Sequence, residues 1–136
     1  METNTSSFRL VDFLVERSLI ERKPIKLDDR PSIDISPSGY LIRDKSIYQL
    51  ALDIKVTTES NRFSAEVKAV GIFHFPDDDE ATLGNFFYIN APAILFPYVR
   101  AYITSLTALS GLGSEIIPTL NLTGLAEELK KNTIEK

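Results

Sequence analysis

Asn90-Ala-Pro-Ala-Ile-Leu-Phe-Pro-Tyr-Val-Arg-Ala-Tyr-Ile-Thr-Ser105 is the stretch on which the fold turns, because Arg100 is the only charged residue between Glu80 and Glu115. A chain this polar elsewhere has to hide that stretch against something. Ile94, Leu95, Tyr98, Val99, Tyr102, Ile103, Leu106 and Leu109 recur at helical spacing, in a stripe wider than one core-facing side requires. A membrane span would need about 20 apolar residues in a row, and Pro92, Pro97, Arg100, Thr104, Ser105 and Thr107 interrupt it. The reading that remains is a helix held between its own sheet and another subunit. Ile94, Tyr98, Arg100, Tyr102 and Leu106 are therefore expected at an oligomer interface. Pro92 suits the first turn of this helix, Pro97 is expected to kink or restart it, and Gly111 and Gly113 are expected to end it.

Upstream the period changes from helical to alternating. Tyr48, Leu50, Leu52, Ile54 and Val56 alternate with Gln49, Asp53, Lys55 and Thr57, the pattern of a strand with one buried and one wet face. Glu59-Ser-Asn-Arg62 supplies a turn in which Asn61 can take positive φ, and Phe63, Ala65, Val67 and Ala69 then alternate with Arg62, Ser64, Glu66 and Lys68. The two segments predict an antiparallel hairpin. Ser32-Ile-Asp-Ile-Ser36 predicts a short strand that resumes at Tyr40-Leu-Ile42, with a bulge or turn at Pro37-Ser-Gly39. Phe8 to Arg17 fits both periods, and a strand with a bulge near Asp12 is the reading adopted. Pro24 to Pro31 is then a crossover loop. Beyond Pro118-Thr-Leu-Asn-Leu122, Thr123 can cap a short terminal helix with Leu125 and Leu129 facing inward and Lys130 and Lys131 near its negative end. Strands come first and helices last, which predicts an α+β fold: a four-stranded antiparallel sheet with C-terminal helices on one face.

Ala93-Ile-Leu-Phe-Pro-Tyr-Val-Arg-Ala-Tyr-Ile-Thr-Ser105 followed by Pro118-Thr-Leu-Asn-Leu122 resembles the signature of the bacterial protein-export chaperone SecB. In that family Ile-Leu-Phe-Pro-Tyr-x-Arg precedes Ile-Thr-Ser and then Pro-x-Leu-Asn-Leu. Gly71-Ile-Phe73 falls where the family also has Gly-Ile-Phe, and the resemblance runs from about Phe8 to Leu129. It implies a chaperone that binds unfolded polypeptides without ATP, keeps preproteins export-competent for the Sec translocase, and hands them to the motor SecA. It also implies a homotetramer, a dimer of dimers with helices inside and sheets outside.

The composition is compatible with that. With 136 residues, 43% hydrophobic and 25% charged, the chain is expected to form one domain over residues 1–136, with Met1 to Ser7 frayed. It contains no cysteine, so disulfides and thiolate metal sites are excluded. The first residues lack the basic and apolar regions of a signal peptide, which predicts a cytoplasmic protein with no direct membrane insertion. A net charge of -4 without a Lys/Arg cluster argues against nucleic acid as partner.

Catalytic chemistry is thin, and no enzyme activity, metal or cofactor is expected. Asp77-Asp-Asp-Glu80 lacks the register of a calcium loop and reads as a solvated turn. His74 is the only histidine, which excludes two-histidine metal sites and reads as structural. Gly71, Gly111 and Gly113 form no phosphate cradle. Arg100, a lone charge in an apolar helix, needs an ion pair or carbonyl partners at an interface, with direct client contact as the alternative.

The resemblance implies a client groove between the second strand with its crossover and the terminal helices. Ile33 and Ile35 match the strand positions, and Tyr40, Leu122, Leu125 and Leu129 are added to them; the alternative for all six is core packing. Motor docking in the family uses acids on the exposed sheet face. Here Glu66 matches one, whereas Ser18 and Arg22 stand where others would fall, and the long acidic C-terminal tail of the family is missing after Asn132. Docking to SecA is thus expected to be weak. Two alternatives stay open: a SecB-like chaperone dedicated to one client such as an antitoxin, and, from a different class, a small-ligand-binding protein.

Overall fold

Tyr48, Leu50, Leu52, Ile54 and Val56 are fully buried while Asp53, Lys55 and Thr57 face water, so the alternation does build the expected hairpin. The structure, a computed structural model, describes residues 7–25 and 29–136. Of the frayed start expected over Met1 to Ser7 only Ser7 is among them, and the middle of the crossover loop lies outside them. The chain runs β1 (Arg9–Arg22), β2 (Pro31–Ile42), β3 (Ile47–Thr58), β4 (Phe63–His74), α1 (Glu80–Asn85), α2 (Ala91–Leu109), α3 (Ala126–Lys131) and β5 (Thr133–Glu135). Asn61 sits at φ 58° in the β3–β4 turn, the left-handed conformation that asparagine tolerates.

The sheet order is β1-β4-β3-β2-β5. β1 to β4 are antiparallel neighbours, as the sequence predicts, but the sheet has five strands rather than four. Thr133–Glu135 pairs parallel with Gly39, Tyr40 and Leu41. Three residues carry too little alternation to announce a strand, and this one exists only because α3 delivers it to the β2 edge.

Two further departures concern phase. β1 has register shifts between Leu10 and Asp12 and again between Val15 and Arg17. The first is the bulge expected near Asp12. The second turns Ser18, Ile20 and Arg22 toward the helices and Leu19 and Glu21 toward solvent. β2, by contrast, pairs with β3 without a shift from Pro31 to Ile42, so the bulge expected at Pro37-Ser-Gly39 is absent. Gly39 is needed there for space: a Cβ would lie 2.2 Å from the Tyr48 hydroxyl oxygen and 2.6 Å from Thr133 Oγ1.

The helical part starts earlier than Pro92. Asp79 Oδ1 accepts the Thr82 N–H at 2.8 Å and caps α1, so Asp77-Asp-Asp-Glu80 is a helix start rather than a plain turn. A π-helical turn, Phe86–Asn90, joins α1 to α2. Pro92 has no N–H to offer the Tyr88 carbonyl, which accounts for the widened turn just before it. α2 then continues through Pro97 to Leu109, and Gly111 and Gly113, at φ 94° and 82°, end it as expected. Its sheet-facing side is Leu95, Phe96, Val99 and Ile103, all buried. A Cβ on Gly71 would come 2.9 Å from Leu95 Cδ1, so this strand glycine lets α2 settle onto the sheet. The other half of the core is aromatic. Phe8 stacks between Phe73 and Phe86 at 5.0 Å from each, and Tyr48 stacks on Phe87 at 4.5 Å. Thr123 does not cap α3 with its side chain; Asn121 Oδ1 instead accepts from the Thr123 N–H and hydroxyl at 3.1 and 2.8 Å. No helix among the described residues is long and apolar enough to cross a membrane.

Candidate functional site

β2 is an edge strand over most of its length, and its odd residues face the helices. Ile33 and Ile35 are half-buried, packed against the core with part of each side chain left open. Leu125 is half-buried likewise, and so is Leu120 in the segment between α2 and α3, a residue that its Pro-x-Leu-Asn-Leu context marks only as part of a motif. Leu122 and Leu129 are in the core, at 9% and 0% exposure. Tyr40 lies on the opposite face of the sheet from Ile33 and Ile35. Without the bulge at Pro37-Ser-Gly39, the even residues of β2 keep facing outward, and Leu41 takes the inward place. Of the six groove candidates, three are thus half-open on the helix side, two are core, and one is on the other face. Around Leu122 the Thr119 to Thr123 segment and α2 enclose a slot of about 250 Å3 lined by Phe96, Pro97, Arg100, Leu120 and Leu122.

A chain of charges holds the segments around this area. Asp29 at the end of the crossover accepts from Arg62 Nε at 2.6 Å, Arg62 Nη1 donates to Glu115 at 2.7 Å, and Arg22 Nη2 donates to the same carboxylate at 3.4 Å. The four side chains are 11 to 19% exposed. Ser60 donates its hydroxyl and N–H to Asp29, and these bonds, followed by Arg62, hold the carboxyl well below the usual carboxylate range. Arg22 also donates to the Thr107 carbonyl in the last turn of α2, and to the carbonyls of Gly111 and Leu112 in the turn that follows it. It is therefore not a charge on the exposed sheet face, as its place in a singly bulged strand would make it. Ser18 leaves that face too, its hydroxyl hydrogen-bonded to the Tyr102 hydroxyl at 2.7 Å.

The outer face of the sheet carries Glu66, as expected, paired with Arg17 at 3.3 Å, and Lys68 lies 3.7 Å from Glu16. Glu21 is a further acid on this face, opposite Ser64 in the register and two residues from Leu19, which is opposite Glu66, and Asp53 stands opposite Lys68. Leu14 and Leu19 are exposed on this side at 45% each, and Val11, in the first bulge, is 54% exposed.

On α2, Arg100 finds a carbonyl partner inside its own chain, donating Nε to Ile117 at 3.1 Å. Ile94, Tyr102 and Leu106 are half-buried. Tyr98 packs against Phe13 with ring centroids 5.5 Å apart and is still 49% exposed. The outermost ridge is Tyr98, Ala101, Ser105 and Leu109, the last 85% exposed. Among the described residues no group of three or more His, Cys, Asp or Glu is placed to hold a metal ion.

Comparison with known proteins agrees with this architecture. Residues 23–132 match the family described as SecB, preprotein translocase subunit SecB. An uncharacterised protein of Methanocaldococcus jannaschii is 37% identical over 73 residues, which cover 52% of this chain and 47% of that protein. The protein-export protein SecB of Rickettsia akari is 27% identical over 104 residues, covering 73% of this chain and 68% of the relative. Among solved structures, a SecB-like chaperone of Mycobacterium tuberculosis in complex with a ChAD peptide from an antitoxin has a TM-score of 0.67 at 15% identity, covering 84% of this chain and 88% of that one. A family match that spans the edge strand, the hairpin, α2 and the terminal helix leaves one reading of the architecture, and the chain belongs to the SecB family.

Proposed function

We propose that this protein is an ATP-independent chaperone for unfolded polypeptides. The observation that carries the reading is the set of half-open aliphatic side chains on the helix side, Ile33 and Ile35 on an edge strand with Leu120 and Leu125 from the C-terminal segment, in a chain of the SecB family. Apolar surface buried there is worth about 25 cal/mol per Å2, so affinity accumulates over many weak contacts and specificity stays loose. Such a site needs no cofactor and performs no chemistry. The finer reading is export: clients kept translocation-competent in the cytoplasm by a homotetramer, with Glu66 and Glu21 meeting SecA on the outer face.

The test is suppression of aggregation of a denatured outer-membrane protein without ATP. Suppression that weakens in Ile33→Asp with Leu125→Asp, at unchanged circular dichroism, is the expected result. Full activity in that double variant would move the site elsewhere. A second reading, a chaperone dedicated to one client, is favoured by the solved neighbour having been captured with an antitoxin peptide. An antitoxin encoded beside this chain that aggregates in its absence would select that reading over general export.

A further inference from the structure

Ala93, Pro97 and Arg100 recur at i, i+4 and i+7 and so lie along one flank of α2. The segment from Thr119 to Thr123 faces that flank, and the two enclose a slot of about 250 Å3 whose lining is mostly apolar, with Phe96, Leu120 and Leu122 beside Ala93 and Pro97. Arg100 is the only charged residue among the described residues that line it. The half-buried guanidinium donates Nε to the Ile117 carbonyl at 3.1 Å. Among the described residues neither Nη has a hydrogen-bond partner and no carboxylate pairs with the group. An arginine in apolar surroundings costs free energy that a partner has to offset, and a single carbonyl occupies one of its five donors. The chain thus sets an unfilled cationic fork beside a small apolar slot.

We propose that this slot binds a small monocarboxylate with an unbranched apolar chain, its carboxylate on the Arg100 fork and its chain between α2 and the Thr119 to Thr123 segment. This goes beyond the chaperone reading and does not rest on it. Charge selects the head group: the planar guanidinium matches two carboxylate oxygens, whereas a hydroxyl engages it weakly and an ammonium is repelled. Volume selects the tail. The slot has the volume of about eight waters of ~30 Å3 each, and a methylene is close to a water in size, so a chain of about six to eight carbons fills it. Ala93 leaves the space open, because a longer side chain on that flank would occupy the slot itself. A ligand held there touches α2 and the later segment at once, and it therefore braces one against the other.

Amide chemical shifts of the full chain, titrated with hexanoate, octanoate and decanoate below their micelle concentrations and with 1-hexanol and hexylammonium, test this on the unmodified protein. Saturable shifts are expected at Ile89 to Arg100 and Thr119 to Thr123. Octanoate should bind about fifteenfold more tightly than hexanoate for its two extra methylenes, and decanoate should gain less than about twofold more once the slot is full. At equal length 1-hexanol should bind about tenfold more weakly than hexanoate, and hexylammonium should leave these amides unmoved. Ala93→Leu should abolish the octanoate shifts while the circular dichroism spectrum is kept. Arg100→Gln should bring hexanoate down to the level of 1-hexanol, and Arg100→Lys should retain part of the difference. Affinity that keeps rising at decanoate, equal binding of hexanoate and 1-hexanol, shifts that survive Ala93→Leu, or no saturable shift at all overturns the site. A drop in mass by light scattering in Arg100→Gln, with no preference for carboxylates in the unmodified protein, also overturns it and gives the fork to a second copy of the chain.

Discussion

Arg22 shows how much one residue's role depends on a half-turn of backbone. In a strand with a single bulge it would stand on the wet face and repel a basic partner. The second bulge swings it under the end of α2, where it bonds carbonyls of the last turn and of the segment after it and meets Glu115. Arg22→Glu should therefore destabilise the fold by about 3 kcal/mol, because it places a carboxylate against Glu115 and removes the cation that those carbonyls bond. Glu21→Lys, one residue away on solvent, should change stability by less than about 0.5 kcal/mol. Urea midpoints of the two variants check this, and equal midpoints would reject the second bulge. Asp29 gives a pH signature. Its folded carboxyl is held below the ordinary value, so its contribution is complete above about pH 4 and is lost as the pH falls below that. Asp29→Asn should be the less stable protein at pH 6, and its urea midpoint should fall less than that of the unmodified protein between pH 6 and pH 3. Glu135, held low by Arg43, leaves both proteins some acid sensitivity of the same sign.

At the scale of elements, α2 explains why its apolar stripe is so wide. One side packs on the sheet, one flank is tied to Glu115 and Ile117 through Thr104 and Arg100, and the outer ridge of Tyr98, Ala101, Ser105 and Leu109 is left uncovered within the chain. Small residues on such a ridge allow close approach of a second helix, which supports the proposed assembly. Tyr102, with its hydroxyl on Ser18, and half-buried Leu106 are poor places to test that, since a carboxylate there would injure the monomer first. Ala101→Arg and Ser105→Arg should instead lower the mass seen by light scattering while the circular dichroism spectrum is kept. A mass unchanged in both would exclude this ridge from the interface.

The whole molecule presents two unlike surfaces. The helix side offers α2's ridge and the half-open aliphatics near the β2 edge, and the sheet side offers charges of both signs with Leu14 and Leu19 among them. Because Glu66 and Glu16 are already paired with Arg17 and Lys68, the sheet side has little net field with which to steer a basic motor segment. Binding to SecA should be weak, and Arg17→Gln with Lys68→Gln should raise the association rate, an increase that vanishes at high salt. An association rate that does not respond would place docking on another surface. The hairpin, α2, its glycine stop and the α+β order were all legible in the sequence, because each is written in local periodicity and in residues with their own backbone preference. The phase of β1 after Glu16, the straight run of β2 through Pro37 and Gly39, β5, and the charge chain from Asp29 to Arg22 were decided only by tertiary structure. Each joins segments far apart in sequence, and a one-residue slip that reverses every side chain leaves almost no trace in composition until a neighbouring strand or helix selects the register.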